Sequence, residues 1–146
     1  MTWKQLLAER RIKPHRTSRA ELDELRAAVA VKLNDAAVPE VSPDTRFVTA
    51  YGAALLLAKM VLACAGYRLD PKKGGHHKAA FEALPLALGP RAKTLANYFE
   101  VCRRKRNEID YDRAFVASDA DADEILRSAR ELQTITEEWI AKHQPN

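Results

Sequence analysis

The stretch "FVTAYGAALLLAKMVLACAGY", residues 47–67, decides the fold. It is long and apolar enough to cross a bilayer. Lys59 stands at its middle, however, and Thr49, Tyr51 and Gly52 dilute it. A charge at the bilayer centre costs about 2.5 kcal/mol or more. The stretch therefore reads as a buried central helix and not as a membrane span. Phe47, Tyr51, Ala54, Leu55, Ala58, Val61, Leu62 and Ala65 recur at helical spacing. Upstream, Ser42 suits an N-cap and Pro43 the first helical position. Downstream, Gly66 suits the C-terminal cap.

Working outward, four more helices follow from the same signals. Ser18 and Glu21 spell a capping box ahead of Leu22, Leu25, Val29 and Leu33, and Pro39 lies beyond that helix. After the loop "DPKKGG" a short helix starts at about His76, and Pro85 is expected to kink or end it. Gly89-Pro90 is a break. Leu95, Tyr98, Phe99, Cys102 and Ile109 mark the inner face of the next helix. Ser118, with Asp121 three residues on, caps the last. Asp119, Asp121, Asp123 and Glu124 crowd the start of that last helix, where its dipole favours them, and Ala129, Leu132, Ile135, Thr136, Trp139 and Ile140 mark its inner face. No stretch alternates with period two for long enough to be a strand. The fold class is all-α: about five helices with a four-helix up-down bundle as core.

The whole chain fits that reading. It has 146 residues, 47% hydrophobic and 30% charged, with only five Gly and a net charge of +4. This is one domain with a substantial core, basic enough to favour polyanions. Residues 1–17 carry Lys4, Arg10, Arg11, Lys13 and Arg16 against Glu9. They form a basic N-terminal arm or a short helix in which Trp3, Leu6 and Leu7 dock on the body and Pro14 ends the turns. Such an arm could also contact phosphates. The opening "MTWKQLLAERRIK" lacks an apolar core of the signal-peptide kind, so no secretory leader is expected. Cys64 and Cys102 read as reduced, buried thiols of a cytoplasmic protein, with a single buried disulfide as the alternative. The spacing offers no metal site and no cofactor motif: there is no phosphate-binding Gly-rich loop, no nucleophile elbow and no Cys-x-x-Cys.

The chemistry concentrates in "RRKRNEIDYD", residues 103–112. Steps of three or four from Leu95 pass through Tyr98, Phe99 and Cys102 to Arg106 and Ile109. Arg106 therefore falls on the apolar line, while Arg103, Arg104 and Lys105 fan outward. A cation on an inner face needs a partner or a cleft, and Asp110, four residues on, can pair with it. Asn107 and Tyr111 share a neighbouring face. Two readings stay open: a structural Arg106–Asp110 ion pair, or a polar cleft in which Arg106 binds phosphate bidentately and Tyr111 stacks or donates.

An all-α chain with Arg-Asn near the end of a late helix resembles the HEPN family, over roughly Ser18 to His143. Beyond the basic arm 1–17, the resemblance implies a HEPN-like helical domain over 18–146. It also implies a homodimer in which two copies of an Arg-x(4–6)-His motif face each other. Active members are metal-independent ribonucleases, many of them toxins, often encoded beside a nucleotidyltransferase. The motif maps onto Arg106 and Asn107. None of positions 111–113 is His, and Tyr111 stands at the base's place. A Tyr near its ordinary pKa of about 10 is a poor base but a usable hydrogen-bond donor.

His76 and His77, after the cationic "KKGG", are either exposed or capping residues, or they supply the missing imidazole from another helix. The expected function is action on RNA. Arg106, Asn107, Asp110 and Tyr111 form the catalytic set, and Arg103, Arg104, Lys105, His76 and His77 gather the RNA. An antitoxin or nucleotidyltransferase is the expected protein partner. The alternative is the same fold as an inactive module binding protein, nucleotide or RNA. Plain nucleic-acid binding through the basic arm is a third.

Overall fold

The computed structural model describes residues 1–72, 74–111 and 113–143. Lys73 of "KKGG" and Asp112 of "RRKRNEIDYD" lie outside the described residues. The chain runs α1 (Trp3–Ala8), β1 (Ile12–Pro14), α2 (Arg19–Ala36), α3 (Pro43–Ala65), β2 (Tyr67–Leu69), α4 (His76–Leu88), a 3-10 turn (Pro90–Ala92), α5 (Lys93–Asp110) and α6 (Asp119–Lys142). The fold is all-α, with the expected five helices and the short α1.

The deciding stretch is α3, the axis of the molecule. Ser42 Oγ accepts from the Thr45 N–H, Pro43 sits in the first turn, and Gly66 closes the helix in the left-handed region at φ 100°. Helices α2, α4, α5 and α6 all pack on α3. Ala50, Ala53, Ala54 and Ala58 are fully buried, and their small side chains let the neighbours approach. By length and composition α3 could cross a membrane, but two thirds of its most apolar window is buried inside the protein.

Each flanking helix buries the face its sequence marks. Leu22, Val29 and Leu33 of α2, Leu95, Phe99 and Cys102 of α5, and Ala129, Leu132, Thr136 and Ile140 of α6 are buried. Arg26 forks onto Glu137, tying α2 to α6. Asp44, at the start of α3, accepts the Ala117 N–H at 2.7 Å and so holds the loop that enters α6.

Several local expectations are corrected. β1 and β2 pair antiparallel, Ile12 opposite Leu69 and Pro14 opposite Tyr67. Three residues are too few for a period-two pattern to register, so the ribbon was invisible in the sequence. Helix α1 stops at Ala8, before Pro14, and the chain turns at Arg10 with φ 57°. Leu6 and Ile12 are buried, so this N-terminal segment joins the core. Pro85 neither ends nor interrupts α4, which runs on to Leu88. Ser18 caps α2, but the Glu21 carboxylate leaves the capping box to bind His15 Nε2 at 2.7 Å and Thr17 at 2.6 Å. Both cysteines are free thiols. Cys102 is buried, whereas Cys64 is only half-buried and its Sγ donates to the His143 carbonyl at 2.8 Å.

Candidate functional site

Helix α5 ends at Asp110, and the Tyr111 N–H caps it by donating to the Asn107 carbonyl at 3.2 Å. Near this end Arg106 turns toward α3. Its guanidinium carbon lies 5.8 Å from the centre of the Tyr51 ring. Its Nη1 lies 3.0 Å from Asp110 and donates to Asn107 Oδ1 at 3.3 Å, so the ion pair foreseen in the sequence forms. Its Nε is buried and has no partner among the described residues. The arginine is thus held at Nη1 and unsatisfied at Nε. Such an N–H in a low-dielectric setting carries a desolvation cost that an acceptor would remove.

Tyr51 connects this arginine to a second element. It is 1% exposed, on the inner face of α3, with its ring edge-on to Phe81 at 5.7 Å. Phe81 stacks on Phe99 of α5, which locks the spacing of α3, α4 and α5. The Tyr51 hydroxyl lies 3.2 Å from His77 Nδ1 at the start of α4. Burial pushes the phenol's pKa above its ordinary value, so Tyr51 is protonated at neutral pH. His77 is shifted the other way. Burial, then the nearby His76 and the positive charges of Arg106, Lys59 and Arg103, pull it down to about 4. An imidazole, a phenol and a guanidinium from three helices therefore form one continuous cluster. The histidine in it is neutral and has a second ring nitrogen to offer.

The remaining cations do not fan out together. Arg103 grips Glu100 through Nε and Nη2 at 2.9 and 2.8 Å, and the bond raises its pKa. The other Glu100 oxygen, Oε2, is buried without a partner among the described residues. Lys105 turns to the N-terminus of α6, where Asp121 takes it at 2.9 Å, and its ammonium sits 5.9 Å from the Phe47 ring centre. Hydrogen bonding to the Ser118 backbone, then to Lys105, lowers the Asp121 pKa. Of the basic run, only Arg104 lies fully on the exposed face as expected.

The structure brings Arg106, Asn107 and Asp110 together at the end of α5, with Tyr51 linking Arg106 to His77. It does not bring Tyr111 to them. That side chain is 82% exposed, and its phenol makes no hydrogen bond among the described residues. His76 is exposed and meets His77 edge-on at 4.8 Å. Two residues escaped the sequence reading. Tyr51 was read as an inward-facing aromatic that dilutes an apolar run, although a phenol on a buried face needs a polar partner, and that need was the available signal. Arg46, 7% exposed, donates to the Val41 carbonyl and pairs with Asp119 and Asp123. The acids crowding the start of α6 have a buried cation beside them as well as a helix dipole. Among the described residues, no group of three His, Cys, Asp or Glu side chains is placed to hold a metal ion.

A family model described as SAV_6107-like HEPN matches residues 36–137, more than half of the chain. No curated protein and no solved structure matches it.

Proposed function

We propose, from the premise that this chain belongs to the SAV_6107-like HEPN family, that it acts on RNA as a metal-independent endoribonuclease. One observation carries the reading: Tyr51 joins the His77 imidazole to the Arg106 guanidinium across three helices. In this reading Arg106 receives the scissile phosphate on the exposed part of its guanidinium, while Asp110 and Asn107 hold Nη1. His77, with Nδ1–H donating to the Tyr51 oxygen, keeps Nε2 free to take the proton of the ribose 2′-hydroxyl. The 2′ oxygen attacks phosphorus, the bond to the 5′ oxygen breaks, and the proton passes to that leaving oxygen. The products are a 2′,3′-cyclic phosphate and a 5′-hydroxyl. The phosphate's charge offsets Arg106 and Arg103, two of the groups that depress His77, and so raises its basicity when substrate binds.

The active form in this reading is a cytoplasmic homodimer. The outer face of α5 and the residues after it, with Val101 67%, Tyr111 82% and Phe115 97% exposed, turn to the second copy. A toxin–antitoxin or defence role, with an antitoxin or nucleotidyltransferase as partner, belongs to the same proposal. Purified protein incubated with total RNA in EDTA tests it. Cleavage by the wild type that falls at least a hundredfold in Arg106→Ala and in His77→Ala supports the enzyme. The exposed Tyr111 at the position of the family's histidine favours a second reading, a binding module without turnover. Absence of cleavage between pH 6 and 9 selects that one.

A further inference from the structure

On the other side of the His76–His77 pair lies a cavity of about 460 Å³, between the β-ribbon, α2, α3 and the start of α4. Its volume falls in the roughly 300–1,000 Å³ range of small-molecule sites. Leu25, Leu62 and Tyr67 give it an apolar wall, and Tyr67 is backed by Trp3, stacked at 4.8 Å. Lys13, Lys59 and Arg68 also line it. None of these three makes an ion pair or a hydrogen bond through its side chain among the described residues. Lys59, the charge that breaks the apolar run of α3, is half-buried here. The one carboxylate in the lining, Glu21, is engaged by Thr17 and His15, which lower its pKa. Three cations against one anion leave two positive charges uncompensated. The first turn of α4 adds to them, because Gly75 supplies no side-chain cap for its N–H groups and His76 is part of the cavity wall.

From this geometry we infer that the cavity is a binding site for a phosphate monoester carrying an apolar or planar body. A dianion matches the two unpaired charges, and the ester's body covers Leu25, Leu62 and Tyr67. A single carboxylate would leave one cation unpaired, and inorganic phosphate would leave the apolar wall wet. The cavity adjoins the Arg106 cluster through His76 and Lys59, but Arg106, Tyr51 and His77 do not line it, so the inference stands whether or not the protein cleaves RNA.

Calorimetric titration of the full chain with 1-naphthyl phosphate, inorganic phosphate and 1-naphthol tests the inference. The ester is expected to saturate one site per chain, at least tenfold tighter than either fragment. Arg68→Glu and Lys13→Glu are each expected to weaken it at least tenfold. Arg130→Glu, the same charge change on an exposed position of α6, is expected to shift it less than twofold. Circular dichroism checks that each variant is folded. No saturable binding of the ester, fragments that bind as tightly as the ester, or folded Arg68→Glu and Lys13→Glu proteins that bind it like the wild type would overturn the assignment. The readout is binding, so its failure leaves the RNA reading untouched.

Discussion

His77 shows how a single side chain records its surroundings. Its ring is half-buried against Tyr51, and the neighbouring charges are positive, so its folded pKa of about 4 lies below the ordinary 6.5. Between those values the unfolded chain binds a proton that the folded protein refuses. Stability is therefore fully present above pH 6.5 and falls as pH drops toward 4. Glu21 and Asp121 are also shifted downward, but their contributions are lost only below about pH 4.5. The window from 6.5 to 4.5 belongs to His77 among these groups. Urea denaturation is expected to show a loss on the order of 1–2 kcal/mol across it, allowing for solvent screening of a half-buried ring. His77→Asn, whose side-chain amide keeps a donor for the Tyr51 oxygen, should remove most of that slope. An unchanged slope would mean that the ring is solvated.

Each element carries its own stop signals, and these were the most legible part of the sequence. Ser42, Gly66 and Ser118 cap as their residue types dictate. Gly66 adopts φ 100°, and an added Cβ there would meet nothing within 4 Å. Gly66→Ala is therefore expected to cost about 1 kcal/mol from backbone conformation alone, read as a lower urea midpoint with unchanged slope. Local signals failed where tertiary contacts decide. The ribbon strands are three residues each, and Ile12 pairs with Leu69 far along the chain. Pro85 stays inside α4, whose Ala79, Ala80, Phe81, Ala83, Leu84 and Leu88 are buried, so tertiary packing holds the helix through the lost hydrogen bond. At the candidate site, the Arg106–Asp110 pair was legible because it lies four residues apart on one helix. The Tyr51–His77 contact spans 26 residues and two helices, which no spacing rule reaches.

At the scale of the whole molecule, a central α3 wrapped by α2, α4, α5 and α6 sets Tyr51 at the junction where His77 and Arg106 meet. The apolar side chains exposed along α5 and just after it suit the proposed pairing of two copies. Light scattering should then give about twice the 16.4 kDa chain mass, and Phe115→Asp should return it to the single-chain value. The most direct test of the proposed site is a double-mutant cycle on RNA cleavage in EDTA. It compares Arg106→Ala, His77→Ala and the double variant, each checked for folding. If the two residues serve one reacting phosphate, the double variant cleaves no more slowly than the slower single variant. Full multiplicative losses, or a His77→Ala protein as active as the wild type, would show that imidazole and guanidinium do not work as a unit.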